Sequence, residues 1–306
     1  MRGRQKYGRG LGANQRPSRY AFPGSIERRD VGYQLIAFDM DGTLLDTGKR
    51  VLPSSTQAID EAVAAGKDVA ICSGRSPKMI ELDHASFGHV RYAICCNGTV
   101  LYDLAEHRVL SVTSFDHETV ARAVAAVGND DAMIDVFSGA NMYCQVADLE
   151  RMDHYRMGIY QGLYDATSTP VEDVRAVLLD PATSVQKFIF HFADPASRAP
   201  ARERLAGLPV ELAESEDASL ELSPAGANKG SGLVALAELL GIPCAATIAV
   251  GDAENDLSML RAAGLGVAMG NATAEARAAA DVVVADNDHD GCAEAIRRFL
   301  LGGEGA

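Results

Sequence analysis

The sequence of 306 residues has no tryptophan and few other aromatic residues, with Phe, Trp and Tyr together at 6% of the chain. It also has no apolar run close to the roughly 18 to 20 residues that a membrane-spanning helix needs. None of its six cysteines belongs to a C-x-x-C pair, the spacing typical of zinc sites and thiol redox motifs. We therefore predict a cytoplasmic protein with reduced cysteines, no membrane association and no disulfide framework.

Positive charge is scarce as well. Lys and Arg number 28 against 42 Asp and Glu, which gives a formal net charge of −14 at pH 7. This balance disfavours nucleic acid as a partner, because phosphate groups repel an acidic surface. Basic residues are concentrated in residues 1–31, a Gly- and Arg-rich stretch that we interpret as a disordered basic tail. A functional basic arm or a transit peptide is the alternative.

The remaining chain alternates between strand and helix patterns. An apolar strand near 35–38 is followed by an Ala-rich helix from Pro53, a strand over 68–72, a helix opened by Ser76-Pro77 and a strand over 92–96. Short apolar strands separated by helices predict a doubly wound α/β domain with a parallel sheet. The same rhythm returns near the C-terminus. We therefore assign a Rossmann-like core to residues 32–102 and 223–302.

Residues 103–222 show a different pattern. Their strands look amphipathic and paired in hairpins, as in 132–137 and 141–146 on either side of Ser138-Gly139-Ala140. We predict that this segment forms a separate α+β domain inserted into the core. The predicted fold class is therefore α/β, with a doubly wound parallel-sheet core and an inserted α+β domain.

Two aspartates directly follow the first apolar strand, in the sequence Asp39-Met40-Asp41-Gly42-Thr43. Ligands bind at the carboxyl ends of strands in open α/β sheets, so a site is expected at this turn. Residues two apart on a strand point to the same side, which would bring Asp39 and Asp41 together. Two carboxylates so close need a shared proton or cation. An acidic turn without function is the alternative interpretation.

Three further segments at predicted strand ends carry polar groups. Ser73-Gly74 offers a hydroxyl and backbone N–H groups that could bind an anion, although Ser73 could instead cap the following helix. Lys229 opens a predicted helix, where a lone Lys is usually a solvated surface residue. The acidic segment 251–256 could cap a helix or supply oxygen ligands to a hard cation.

In this order the four segments resemble motifs I to IV of the haloacid dehalogenase (HAD) superfamily of phosphohydrolases. Residues 251–256 match the GDxxND form of motif IV, and Asn97-Gly98 and residues 267–272 resemble the Cof-type branch, subfamily IIB. The inserted segment lies between motifs II and III, which is the position of a C2B cap. The resemblance covers both segments of the core.

The resemblance implies a role for each motif residue. Asp39 would be the nucleophile that forms an aspartyl-phosphate, and Asp41 would be the general acid and base. Mg²⁺ would be the cofactor. Its implied ligands are Asp39, the backbone carbonyl of Asp41, Asp252 and, through water, Asp256. The implied phosphate-binding residues are Ser73, Gly74, Lys229 and Asn255.

As a whole, the resemblance implies a Mg²⁺-dependent phosphatase of small phosphorylated metabolites, with sugar phosphates as the expected substrates. Flavin-precursor phosphates and pyridoxal phosphate are alternative substrates. A sugar phosphomutase, which must exclude water from its intermediate, is the alternative enzyme. A signalling receiver domain is disfavoured by the length of the chain, and a silent phospholigand-binding protein is disfavoured by the full set of chemical residues. The sequence makes no prediction of oligomeric state.

Several neighbouring residues are predicted to be structural. Thr43 is expected to stabilise its turn, Glu254 to face solvent and Asn271 to cap the helix that follows it. Four cap residues could reach a substrate but are predicted to be surface or packing residues. They are His154, Arg156, Lys187 and His191.

Overall fold

An apolar strand with no exposed residue, Leu35–Phe38, lies inside the larger of two sheets. The computed structural model describes residues 32–302, apart from residue 215, and the basic tail predicted at residues 1–31 lies outside that range. Within it, the strands in chain order are β1 Leu35–Phe38, β2 Asp68–Cys72, β3 Tyr92–Cys95, β4 Val100–Asp103, β5 Arg108–Val112, β6 Ala132–Ser138, β7 Asn141–Gln145, β8 Ser168–Val171, β9 Lys187–Phe192, β10 Val210–Ala213, β11 Ser219–Pro224, β12 Thr247–Gly251, β13 Leu265–Ala268 and β14 Val282–Val283.

The helices of the same range are short. They are α1 Pro53–Ala64, α2 Pro77–Asp83, α3 His117–Val127, α4 Val146–Leu149, α5 Gln161–Thr167, α6 Val174–Leu179, α7 Arg198–Leu205, α8 Lys229–Leu239, α9 Leu257–Ala262, α10 Ala274–Ala279 and α11 Gly291–Ala295. No described helix combines the length and the apolar character needed to span a membrane.

The larger sheet has eight strands in the order β14-β13-β12-β1-β2-β3-β4-β5. Neighbours from β14 to β3 are parallel, and β4 and β5 add two antiparallel strands at one edge. The chain moves outward from β1 to β2 and β3, and it later returns to β12 on the other side of β1. This order confirms the predicted doubly wound α/β fold. It also makes the carboxyl ends of β1 and β12 a topological switch point, where ligands bind in such sheets.

The smaller sheet has six strands in the order β10-β11-β9-β6-β7-β8, antiparallel except between β7 and β8. Its strands all lie between β5 and α8, so an α+β domain is inserted as predicted. The predicted bounds 103–222 need correction, because β5 pairs with β4 in the larger sheet and β11 extends the smaller sheet to Pro224. An amphipathic strand such as β5 suits the edge of either sheet, so its own sequence does not show which sheet it joins.

The two faces of the smaller sheet pack against different neighbours. Along β9, Phe188, Phe190 and Phe192 lie in an apolar cluster with residues of α3, α6 and α7. On the opposite face, Phe137 and Ile189 belong to the apolar cluster that also contains the interior of the larger sheet. The cap therefore turns the face that carries Phe137 and Ile189 toward the core domain.

Candidate active site

Asp39 lies directly after β1, at the carboxyl end of the larger sheet. Its N–H donates to the carbonyl of Val250 in β12 at 3.0 Å, which holds the residue beside the neighbouring strand. Asp39 is only 7% exposed. Burial raises the pKa of Asp39 to about 7; Lys229 opposes this shift, and the carboxylates of Asp256 and Asp252 add to it. The predicted nucleophile is thus a buried carboxyl group at the switch point.

Lys229 is buried, although a lone Lys is usually exposed. It begins α8, which is capped by Asn228. Its ammonium group donates to Asp39 Oδ1 at 2.5 Å and to Asp256 Oδ1 at 2.7 Å. Burial alone would lower the pKa of Lys229, but the two carboxylates outweigh burial and raise it. Lys229 is therefore a fixed positive charge that joins the segments following β1 and β12.

The loop after β12 folds around Asp256, which is fully buried. Its Oδ2 accepts the N–H groups of Asp252 at 2.9 Å and of Ala253 at 3.0 Å. Asp252 is less deeply buried, and its Oδ1 accepts the hydroxyl of Thr43 at 2.8 Å. Thr43 therefore stabilises the turn after β1, as predicted, by tying it to the loop after β12.

Three carboxylates meet around Lys229. One oxygen from each of Asp39, Asp252 and Asp256 lies within 4.8 Å of the others. All of these donor atoms are oxygens, which suits a hard cation such as Mg²⁺ better than a metal that prefers thiolates. When all groups are ionised, three carboxylates against one ammonium leave an excess of two negative charges, which a divalent cation would balance. The residues present therefore fit the predicted Mg²⁺.

Asp41 has a different environment from Asp39. Its side chain is 47% exposed and contacts Lys49 Nζ at 2.7 Å and an Arg75 nitrogen at 3.0 Å. Arg75 also contacts Asp83 at 3.1 Å. Although burial acts in the opposite direction, Lys49 and Arg75 hold the pKa of Asp41 below its usual value. The first aspartate is thus buried beside other carboxylates, and the second lies nearer the surface beside two cations.

Ser73 and Gly74 follow β2, the strand that neighbours β1. Ser73 is buried, and its Oγ accepts the N–H of Arg75 at 3.3 Å. The residue that caps α2 is Ser76, whose side chain accepts the N–H of Met79, so Ser73 is not the cap. Because β1 and β2 run parallel, this loop lies at the same edge of the sheet as Asp39. Phosphate binding by Ser73 and Gly74 stays a prediction.

A family model for haloacid dehalogenase-like hydrolases matches residues 36–296. The chain belongs to this family. Among the curated relatives of this HAD hydrolase, the Bacillus subtilis 5-amino-6-(5-phospho-D-ribitylamino)uracil phosphatase YcsE is 29% identical over 90% of this chain and 100% of its own length. The Escherichia coli pyridoxal phosphate phosphatase YbhA is 31% identical over 88% of this chain and 99% of its own length.

Solved structures agree with the sequence relatives. A sugar phosphatase of HAD subclass IIB superposes with a TM-score of 0.68 at 25% identity, covering 87% of this chain and 98% of that one. The predicted family and the predicted enzyme class, a phosphoric monoester hydrolase, are therefore confirmed.

Two residues of the acidic loop lie on the surface of this HAD hydrolase. Glu254 is exposed, as predicted. Asn255 is exposed too, and the ammonium group of Lys229 donates instead to Asp39 and Asp256. Phosphate binding by Asn255 therefore stays a prediction, and the buried residue that orients Lys229 within this loop is Asp256.

The prediction for Asn271 was wrong. The cap of α10 is Thr273, whose side chain accepts the N–H of Ala276. Asn271 instead donates from Nδ2 to the carbonyl of Gly42 at 2.7 Å. Asn271 therefore holds the turn after β1, a role that no local pattern in the sequence indicates because the two residues are distant along the chain.

The four cap residues also separate into two groups. His154 and Arg156 are exposed, in line with the predicted surface positions. His191 is buried inside the cap and contacts Asp135 at 2.8 Å. Lys187 is only 2% exposed, and its ammonium group reaches the loop that follows β2. Sequence reasoning missed this contact, because the sequence gives no signal for a distance between a cap strand and a core loop.

Both the backbone conformation of Gly42 and its closeness to Asp252 disfavour a side chain at this position. Its φ is +83°, and a Cβ added there would lie 2.5 Å from Asp252 Oδ2. We expect Gly42→Ala to lower kcat/KM by about tenfold or more. The added methyl group would shift the Asp252 carboxylate and with it the expected position of Mg²⁺. The measurement is phosphate release at several Mg²⁺ concentrations, and the apparent Mg²⁺ affinity is expected to fall as well.

Gly66 provides the matched control. Its φ is +75°, but a Cβ there would meet nothing within 4 Å. Both substitutions carry the backbone penalty of about 1–2 kcal/mol for a left-handed residue with a side chain. Gly66→Ala should therefore lower the unfolding temperature without changing kcat/KM. If the two variants had equal kcat/KM, the room that Gly42 leaves for the Asp252 carboxylate would not matter for catalysis.

Proposed function

We propose that this hydrolase is a Mg²⁺-dependent phosphatase that acts on small phosphorylated metabolites through an aspartyl-phosphate on Asp39. The observation that carries the proposal is the buried contact of Lys229 with both Asp39 and Asp256. It puts a fixed positive charge beside the candidate nucleophile, at the edge of the sheet where ligands bind. The loop of Ser73 and Gly74 lies at the same edge.

Charge repulsion is the first obstacle to attack by a carboxylate. A carboxylate and a phosphate dianion about 4 Å apart repel each other by about 8 kcal/mol at an effective dielectric constant near 20. Lys229 offsets part of this repulsion from within the site. In the first half-reaction, a carboxylate oxygen of Asp39 bonds to phosphorus while the bond between phosphorus and the leaving oxygen breaks. The Ser73 hydroxyl and the Gly74 N–H would hold the phosphoryl oxygens.

The residues that would hold Mg²⁺ are Asp39, the backbone carbonyl of Asp41 and Asp252, with Asp256 acting through water. The indirect role suits Asp256 because both of its oxygens already accept hydrogen bonds within the protein. When bound, Mg²⁺ would neutralise charge on the phosphate and polarise its oxygens.

Asp41 would move the protons. It would donate a proton to the leaving oxygen and then accept one from the water that attacks the aspartyl-phosphate. Its contacts with Lys49 and Arg75 favour the ionised carboxylate, which the second step requires, and disfavour the protonated form, which the first step requires.

The substrate is proposed from the chemistry that the relatives share. The names of the three relatives specify a ribitylaminouracil phosphate, pyridoxal phosphate and sugar phosphates, which are all small molecules. We propose sugar phosphates as the preferred substrates, with flavin-precursor phosphates and pyridoxal phosphate as the alternatives. A sugar phosphomutase would use the same aspartyl-phosphate but would return the phosphoryl group to the sugar.

The proposal is tested by phosphate release from a panel of sugar, nucleotide and cofactor phosphates. We expect turnover of several small phosphate esters with Mg²⁺, and no turnover after exhaustive EDTA treatment. Ca²⁺ should inhibit, because it accepts more oxygen ligands in a looser geometry and disturbs in-line attack.

The panel also separates the alternatives. Isomerisation of a sugar phosphate without release of inorganic phosphate would indicate the mutase. Full activity of protein shown by mass spectrometry to contain no metal would exclude the Mg²⁺-dependent mechanism.

A further inference from the structure

A buried ion pair within the cap contacts the core beside the candidate phosphate-binding loop. Lys187 begins β9 and Glu221 lies in β11, and the Lys187 ammonium contacts Glu221 Oε2 at 2.6 Å. The same ammonium donates to the carbonyl of Gly74 at 3.1 Å and lies 5.0 Å from the centre of the Phe137 ring. Two of these contacts are with oxygen atoms, and the third is a cation–π contact with the ring. Lys187 is therefore engaged by the protein itself.

Glu221 connects the pair to a second loop of the core. Its Oε2 also accepts the Nδ2 of Asn97 at 2.9 Å. Asn97 follows β3, and its N–H donates to the carbonyl of Ser73 at 3.1 Å. Lys187 therefore contacts the loop of Ser73 and Gly74 directly, and Glu221 contacts it through Asn97.

The turn that carries Asn97 has an uncommon backbone. Cys96 and Asn97 have φ values of 50° and 57°, in the left-handed region that residues with a side chain rarely adopt. Gly98 continues the turn so tightly against the core that an added Cβ would lie 2.1 Å from the carbonyl oxygen of Asn228, the residue before Lys229. Such a conformation persists only where its surroundings fix it. The contact with Glu221 is part of those surroundings.

We propose that Lys187 and Glu221 are positioning residues, through which the seated cap holds the phosphate-binding loop and the turn beside Lys229 in their working arrangement. The proposal rests on the proposed function for the identity of the loop. It differs from a role in substrate selection, since the Lys187 ammonium is buried and neutralised by Glu221 and by its other contacts. The phosphate site at Ser73, Gly74 and Lys229 is then fully arranged only when the cap contacts the core.

The test uses Lys187→Met in the full chain. We expect kcat/KM to fall between about tenfold and a hundredfold, because misplacing reacting groups by about 1 Å has effects of that size. The loss should be equal for a small aryl phosphate and for the best substrate of the panel, since both share the phosphoryl group. The inhibition constant of inorganic phosphate should rise by a similar factor.

Two further variants keep the test decisive. Lys187→Met leaves the Glu221 carboxylate buried without this cation and could lower the stability of the fold. The double variant, Lys187→Met with Glu221→Gln, removes both charges and keeps an acceptor for Asn97. Arg204→Met is the matched control, because Arg204 pairs with Asp130 elsewhere on the cap. The control should leave kcat/KM and phosphate inhibition unchanged.

Each result has a distinct meaning. A loss of kcat/KM confined to the best substrate of the panel would show that Lys187 acts on the leaving group. Wild-type kinetics in the folded double variant would show that the pair positions nothing. Either result would overturn the proposal. Absence of phosphatase activity in the wild-type chain would instead refute the proposed function. The positioning role would then be decided by calorimetric binding of inorganic phosphate with Mg²⁺ to the wild type and the variants, where equal affinities contradict it.

Discussion

Replacing Asp39 with Asn is expected to lower kcat by at least three powers of ten, about the loss that removal of a covalent nucleophile causes. An amide oxygen is a poor nucleophile toward phosphorus and cannot form the acyl-phosphate. The fold should persist, because the folded protein already disfavours the charge of this group: burial raises the pKa of Asp39 to about 7. The measurement is steady-state phosphate release, with circular dichroism as the check on folding.

Glu254→Gln is the matched control for Asp39→Asn. It removes one carboxylate from the same edge of the sheet, but Glu254 is exposed and contacts none of the buried carboxylates. Its kcat should equal that of the wild type. An Asp39→Asn variant that is folded and retains more than about a tenth of the wild-type rate would rule out Asp39 as the nucleophile.

The core elements were predictable because each has a strong local signal. The apolar strand 68–72 has the same bounds in the prediction and in the structure. The helix predicted to open at Ser76-Pro77 is α2, and the Ser76 side chain accepts the N–H of Met79 at its start. Strand alternation and helix caps depend on neighbours along the chain, so the sequence displays them directly.

Elements without a local signal were missed. Between 146 and 183 the structure has α4, α5, β8 and α6, of four to seven residues each, for which we made no prediction. Such short segments complete too few turns to show a period. The assignment of β5 to the larger sheet was missed for another reason, since the pairing of a strand with a distant edge leaves no mark on its own sequence.

The candidate site shows the same division. Residues that directly follow buried strands, such as Asp39, Ser73 and Asp252, could be placed at one edge of the sheet from topology alone. The contact between Lys229 and Asp256 could not, although the family motifs indicated both residues. Contacts from outside the motifs, such as Lys187 with Gly74 and Asn271 with Gly42, depend on the three-dimensional arrangement of distant segments.

Replacing Lys229 with Met is expected to lower kcat/KM by at least about a hundredfold, because the charge that offsets repulsion between Asp39 and the phosphate is lost. Lys229 is the cation that contacts both Asp39 and Asp256 in this buried cluster. Its removal leaves these carboxylates without that ammonium group. Truncating one partner of a buried pair destabilises a protein by about 3–5 kcal/mol, so a fall in unfolding temperature is also expected.

Stability and catalysis can be separated by a charge-balanced variant. Lys229→Met combined with Asp256→Asn removes one charge of each sign, and the amide can still accept an N–H from the loop after β12. We expect this double variant to regain much of the unfolding temperature without regaining activity. Lys67→Met is the control. Lys67 is a half-buried lysine of the core domain that donates to the carbonyl of Tyr33, and it contacts no carboxylate of the site. Recovery of wild-type kcat/KM in the double variant would mean that Lys229 serves only to neutralise Asp256, and the catalytic role proposed for it would be wrong.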